Sequence, residues 1–308
     1  MKIFITGKGQ LGTYYKDYFE KLGDTVMSAA SADFDIRDEG AFKSAIEAFG
    51  PDIVIHTAAK TNIDWCEQNK TACFEINTLA TDLVGKICQE KNLYLVYLSS
   101  GCVLESKNAQ DLQTEEVQIS PLCFYSWTKA WGEQMLTHRA NRSGLKVLTL
   151  RPRQLISAKV DPRNAITKML TYTKFIDTPN SCTIVEDLLM ATAELIKKNA
   201  TGVYNVVNPG VTTPFEMANL LKEIVKPEME FMKISKAELN AMTLAERVDA
   251  VLDGTKLTKA GIVLREIHER MREIMTELKS NLRSVTANSA MAQTQKETAE
   301  KLGLKNQS

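Results

Sequence analysis

The opening run KIFIT-GKGQLG-TYYKDYFEKLG constrains the fold more than any other part of the chain. A short apolar strand enters a glycine-rich turn and then a helix. Leu11, Tyr15, Tyr18, Phe19 and Leu22 share one face of that helix, and Gly23 is a natural stop. Strand and helix then keep alternating. DTVMSAA reads as a strand, and Asp38 can cap a helix carrying Phe42, Ile46 and Phe49. After Gly50-Pro51 come the strand DIVIHTAA, a helix over about 74–90, and the strand LYLVYL. Parallel strands need crossovers of this length, and such crossovers are right-handed. The pattern therefore predicts an α/β fold with a doubly wound parallel sheet.

Further along, LKVLTLRP and GVYNVVNPG read as strands, and Thr212 or Thr213 can cap the helix PFEMANLLKEIV. We expect a Rossmann-type dinucleotide-binding domain over 1–154, with 203–208 returning to its sheet. A smaller C-terminal lobe, mainly 155–275, should bind substrate over the carboxyl edge. In 281–308 apolar residues are sparse, so a solvated helix or mobile tail without chemistry is expected.

Composition excludes several classes. Lys+Arg and Asp+Glu are both 38, so no net field favours nucleic acid or an anionic membrane. The apolar runs are strand-length, too short to cross a bilayer. Six cysteines form no CxxC pair and only three histidines accompany them, so no metal site is expected. No export signal is legible ahead of KIFIT, which implies a cytoplasmic protein with reduced thiols.

Gly7-Lys8-Gly9-Gln10-Leu11-Gly12 fits GxGxxG between a strand and a helix. The glycines allow a tight turn, close approach of a pyrophosphate and close helix packing, and the helix N-terminus adds partial positive charge. The second strand ends MSAAS, without the carboxylate that usually holds a ribose hydroxyl. A 2′-phosphate would meet no repulsion there, and Lys8 could reach it. NADPH is favoured on this ground, with NADH as the alternative. Asp35 is either an adenine contact or an ordinary loop or cap carboxylate. Tyr125 and Lys129 form YxxxK, one turn apart on a helix face, about twenty-five residues beyond Ser99-Ser100. An adjacent ammonium favours phenolate and would tune Tyr125 for proton transfer; alone, such a pair is more often a packing and solvation pair, and the dinucleotide turn and strand-end serines reverse that preference.

Together, GxGxxG, the strand-end serine and YxxxK resemble the extended short-chain dehydrogenases/reductases. GKGQLG, DFDIRD, PDIVIHTAA and the YxxxK helix are similar to dTDP-4-dehydrorhamnose reductases. A closer resemblance is to the bifunctional nucleotide-sugar 3,5-epimerase/4-reductases that make UDP-L-rhamnose in plants and some large DNA viruses. It rests on NIDWCEQNKT, SGCVLE, FYSWTKA, DPRNAITK, TPNSCTIVEDLL, NVVNPGV and LDGTKL, and covers about residues 1–275. Single-function reductases resembling this chain carry an acid and an aromatic after the serine. Gly101 and Cys102 stand there instead, as in the bifunctional group.

The resemblance implies that Cys102 and Lys168 epimerise carbons 3 and 5, and that Ser100, Tyr125 and Lys129 serve the reduction. It also implies that Asp35, Ile36, Ala58, Ala59 and Lys60 border the cofactor. The chemistry agrees, because a 4-keto group acidifies both carbons and inversion needs a group that removes a proton and one that returns it. A free cysteine is otherwise a small buried hydrophobe. Trp65 and Cys66 can line the sugar site or simply pack. Arg163 and Asn164 can hold substrate oxygens, with a surface ion pair as the equal alternative for Arg163. His56 is expected to pack, and Arg247 and Asp253 to close the lobe onto the sheet. The expected activity is conversion of UDP-4-keto-6-deoxy-glucose, supplied by another protein, to UDP-L-rhamnose. The rivals are a reductase only, or a non-catalytic NADP-binding regulatory subunit. UDP against dTDP and a homodimer are left open.

Overall fold

Ile3, Phe4 and Ile5 are wholly buried, with no inside–outside alternation, because helices cover both faces of the sheet they belong to. The computed structural model describes residues 1–287, 297–298 and 300–302. The first part of the chain runs β1 (Lys2–Thr6), α1 (Gln10–Lys21), β2 (Thr25–Ala29), α2 (Glu39–Phe49), β3 (Ile53–His56), α3 (Ile63–Gln68), α4 (Lys70–Phe74), α5 (Ala80–Glu90), β4 (Tyr94–Leu98), α6 (Phe124–Ser143) and β5 (Val147–Pro152). There follow β6 (Leu155–Ile156), α7 (Ala165–Met169), β7 (Lys174–Ile176), β8 (Thr183–Ile184), α8 (Val185–Lys197), β9 (Gly202–Val206), α9 (Pro214–Ile224), β10 (Met232–Ile234), α10 (Lys236–Met242), α11 (Thr255–Lys259) and α12 (Ile267–Ala287).

Six strands form a parallel sheet in the order β2-β1-β3-β4-β5-β9. This is the doubly wound sheet expected from the sequence. Strand order reverses between β1 and β3, and a crevice opens there at the carboxyl ends of the strands. One face is packed by α1 and α8, through Tyr15, Phe19, Leu188 and Leu195. The other is packed by α2, α5 and α6, through Phe42, Val84, Ile87 and Leu136. Two short parallel pairs, β6 with β8 and β7 with β10, build the lobe with α7, α9 and α12. Asp38 caps α2 as expected, and Thr213 rather than Thr212 caps α9 in a capping box with Glu216.

Three local expectations are corrected. Leu22 is 53% exposed, because α1 ends at Lys21 and the chain turns away from the sheet. The helix expected over 74–90 is interrupted by a π turn at Glu75–Leu79. Of 281–308, residues 281–287 continue α12, and Leu282, Val285 and Leu302 are buried in the lobe core instead of solvated. The remainder of that segment lies outside the described residues.

Arg151 on β5 and Glu133 on α6 form a buried ion pair, with Nη2 2.6 Å from Oε2. Glu133→Leu would leave an uncompensated guanidinium under the sheet edge. The expected loss is roughly 3–5 kcal/mol of stability, read by urea unfolding. A loss below about 1 kcal/mol would show that this pair does not anchor α6.

Candidate active site

The GxGxxG turn uses its glycines in three different ways. Gly7 has φ +94°, a left-handed backbone that disfavours a side chain. A Cβ on Gly12 would lie 2.0 Å from the Gly7 carbonyl oxygen, so only glycine lets α1 start so close to β1. Gly9 has neither constraint: a Cβ there would meet nothing within 4 Å. Its bare backbone faces a cleft of about 560 Å³ at the β1/β3 switch point. Gly7, Lys8, Gly9, Asp35, Ile36, Ala58, Ala59 and Lys60 all line this cleft. Gln10, Leu11 and Gly12 lie in the first turn of α1 behind it. The open space at Gly9, beside a helix N-terminus, fits a dinucleotide pyrophosphate.

At the rim, Ala29, Ala30 and Ser31 carry no carboxylate. Asp33 nonetheless curls back to accept from Ala30 N at 2.6 Å and from Lys8 Nζ at 2.8 Å. The Lys8 ammonium holds the Asp33 carboxyl below the usual carboxylate range. Asp35 is gripped by Arg37, which also reaches Glu75. Asp33 was not singled out from the sequence, because it follows the strand end by four residues.

The loop after β3 is fixed by a buried polar chain. Thr81 Oγ1 donates to Asn77 O at 2.7 Å, so it accepts from His56 Nε2 at 3.0 Å, and His56 Nδ1 accepts from Thr6 Oγ1 at 2.7 Å. Burial pushes the His56 pKa down to about 3, so the ring stays neutral. It packs, as expected, and carries no proton traffic. Asn77, on the π turn, accepts from Lys60 N at 2.7 Å and donates to Lys60 O at 2.9 Å and to Thr128 Oγ1 at 3.1 Å. Nothing in the mixed polar and apolar sequence of this helix singled it out.

Four expected residues meet at the carboxyl ends of β4 and β5. Ser100 opens a 3₁₀ turn over Gly101–Val103 and accepts from Cys102 N at 3.3 Å and Cys102 Sγ at 3.0 Å. Tyr125 lies in hydrogen-bonding reach of Ser100. Burial, then the nearby Cys102, push the Tyr125 phenol well above its usual range. Lys129 does not lower it, contrary to expectation. Its ammonium points instead to Leu98 O at 2.7 Å, under the Tyr97 ring at 4.3 Å. Burial lowers the Lys129 pKa to about 8. Cys102 is 3% exposed, packed with Val207, Val248 and Leu252.

Cys102 also lines a second cavity of about 340 Å³, between the sheet edge and the lobe. Its walls are mostly apolar, with Ile156, Ile166, Met169, Phe175 and Met217 among them. Arg153 and Arg247 add positive charge. Lys168 is exposed on α7 and is not among the lining residues, although its neighbours Ala165, Ile166 and Met169 are. Arg163 is exposed and clamped to Asp161. Asn164 is fully buried, donating to Ser157 O and Lys159 O, so it shapes the loop. Lys60 sits over the Trp65 ring at 5.2 Å, and the Cys66 thiol is buried against Lys60 O. Arg247 pairs with Asp64 at 2.8 Å. Asp253 holds its segment to the sheet through its backbone, its carbonyl accepting from Asn205 Nδ2 of β9 at 3.1 Å, while its side chain caps Thr255 N. The lobe is fastened to α3, a contact invisible in sequence because its partners are 183 residues apart.

Comparison with known proteins agrees with this geometry. A family model described as the RmlD substrate binding domain matches residues 1–280. A bifunctional dTDP-4-dehydrorhamnose 3,5-epimerase/dTDP-4-dehydrorhamnose reductase from Arabidopsis thaliana is 33% identical over 79% of this chain and 82% of that protein. A trifunctional UDP-glucose 4,6-dehydratase/UDP-4-keto-6-deoxy-D-glucose 3,5-epimerase/UDP-4-keto-L-rhamnose-reductase from the same plant is 31% identical over 84% of this chain, which spans 40% of its length. The crystal structure of the L780 UDP-rhamnose synthase from Acanthamoeba polyphaga mimivirus matches with a TM-score of 0.82 and 28% identity, over 90% of this chain and 99% of that one. With the family model matching residues 1–280, this chain belongs to the RmlD substrate-binding domain family.

Proposed function

We propose that this protein is an NADPH-dependent nucleotide-sugar 4-ketoreductase that also epimerises carbons 3 and 5, converting UDP-4-keto-6-deoxy-glucose to UDP-L-rhamnose. One observation carries the reading: Ser100 accepts from the Cys102 thiol at 3.0 Å and lies in hydrogen-bonding reach of the Tyr125 phenol, with Cys102 lining the apolar cavity. The printed activities of the Arabidopsis relatives support the same chemistry.

A bound nicotinamide supplies hydride to carbon 4. Gly7, Gly9 and the α1 N-terminus would hold its pyrophosphate, and Lys8 a 2′-phosphate once released from Asp33. Ser100 and Tyr125 address the ketone oxygen, and Tyr125 gives that oxygen its proton. Burial favours this role, since it keeps the phenol protonated at neutral pH. Cys102, on the lobe side of Ser100, exchanges protons at the acidified carbons. Lys168 would have to swing inward from the outer face of α7 to be its partner. That exposure favours the second reading, a reductase without epimerase activity.

The glycines separate cofactor binding from folding. Gly9→Val should fold with wild-type stability and lose NADPH binding by calorimetry, whereas Gly12→Ala should lose both. Retained binding in Gly9→Val would displace the pyrophosphate from this turn.

Asp33→Asn should free Lys8 and raise the affinity ratio of NADPH to NADH. A lower ratio would reject Lys8 as the phosphate ligand.

The two reactions should divide by residue. Tyr125→Phe is expected to lower carbon-4 reduction by ~10²-fold or more, while solvent deuterium still enters carbons 3 and 5 by NMR. Cys102→Ala should stop that exchange yet still reduce a 4-keto sugar supplied in the L-configuration. Exchange at wild-type rate in Cys102→Ala would remove Cys102 from the epimerase chemistry, whereas no exchange in wild type would leave the reductase-only reading.

A further inference from the structure

Gln154 follows the end of β5 and lines the apolar cavity beside Cys102. Its φ is +39°, a left-handed backbone angle that glycine adopts freely and glutamine does not. Such an angle persists where the surroundings hold it, and those places cluster at ligand sites. Here the holding is visible on both sides of the side chain. The backbone is pinned as Gln154 O accepts from Thr183 N at 3.4 Å, next to the β6–β8 pairing. The side chain is pinned as Oε1 accepts from Cys182 Sγ at 3.3 Å. Cys182 is fully buried, and burial pushes its pKa up to about 12, so it stays a thiol with an S–H to donate to the amide oxygen. With Oε1 facing Cys182, the Nε2 hydrogens are turned away from it. No described residue accepts from Nε2.

The neighbouring side chain has the same character. Arg153 crosses bare Gly101, where a Cβ would lie 3.3 Å from its own Cβ. Its guanidinium is held by neutral oxygens, Asn180 Oδ1 at 2.7 Å and Val248 O, without a carboxylate. The cavity wall beside Cys102 is therefore rich in fixed donors set among apolar side chains. A small molecule with several acceptor oxygens on a compact ring suits such a wall.

We propose that Gln154 is a specificity-determining residue whose Nε2 donates to an oxygen of the sugar ring, and that its strained backbone exists to aim that donor. This rests on the nucleotide-sugar reading above and adds the residue that distinguishes the sugar from the nucleotide. A donor built into an apolar wall discriminates strongly, because a ligand lacking the acceptor leaves it unpaired.

The test uses UDP-glucose and UDP as calorimetric probes on wild type, Gln154→Gly and Gln154→Met. Wild type should bind UDP-glucose more tightly than UDP. Both variants should lose about tenfold of that gain, the scale of one hydrogen bond, with UDP affinity held within about twofold. Gln154→Gly relieves the left-handed strain, so its melting temperature should equal or exceed that of wild type. Variants that keep the full gain overturn the proposal. So does a lowered melting temperature with unchanged ligand affinities, which would make Gln154 a packing residue. A wild type that binds UDP without any gain from the sugar overturns Gln154's role alone. Binding of neither probe overturns the nucleotide-sugar reading and this inference with it.

Discussion

The site depends on an ammonium buried beneath the edge of the sheet. Lys129 is 2% exposed, donates to Leu98 O at 2.7 Å and lies under the Tyr97 ring. That bond ties the first turns of α6 to the carboxyl end of β4. It thereby brings Tyr125, one turn earlier, up against Ser100, two residues past the strand. Burial of the charge is unfavourable: the pKa falls from 10.5 to about 8. The folded protein thus holds fewer protons than the unfolded chain between those values, and stability rises with pH across that window. Below pH 8 the whole cost is present.

The parallel sheet, its order of elements and the dinucleotide turn were legible because they rest on local pattern. Alternating strand and helix periods, a GxGxxG at a strand end and a capping aspartate each need fewer than fifteen neighbouring residues. Ser100, Tyr125 and Lys129 were legible for a related reason: each sits at a strand end or on one helix face, and the fold rule puts those places together, whereas Cys102 was singled out for chemistry only by the family resemblance. What escaped was long-range or rotameric. Nothing local shows that Arg247 meets Asp64, or that Asp33 turns back onto Lys8. The direction of the Tyr125 shift escaped for a different reason. YxxxK spacing sets both side chains on one face, but the lysine has a stronger local acceptor in Leu98 O, and desolvation then dominates the phenol.

Lys168 marks the boundary between what a motif implies and what a side chain does. Its block resembles that of the bifunctional enzymes, and α7 is where a lobe residue could reach the cavity. Yet α7 is only five residues long, and its inward positions are Ile166, Thr167 and Met169. On so short a helix the face presented is set by the flanking loop. Here that loop is shaped by Asn164, which is buried and bonded to Ser157 O and Lys159 O. Adjacent helix positions lie about 100° apart, so the burial of Ile166, Thr167 and Met169 leaves Lys168 facing outward.

The division between sheet and lobe also explains how one pocket could serve two reactions. Reduction requires a proton at the ketone oxygen, and the groups proposed for it, Ser100 and Tyr125, are rooted beyond β4 and in α6, whose packing is that of the sheet. Epimerisation requires access to two carbons on opposite flanks of the ring, and so a wall that can approach from the other side. Cys102 stands on the seam, bonded to Ser100 yet packed against Val248 and Leu252 of the lobe segment. The Asp64–Arg247 pair spans the same seam from the rim. In the proposed reaction, the groups rooted in the sheet would fix the ketone oxygen and those of the lobe would reach the ring from the other side of this seam.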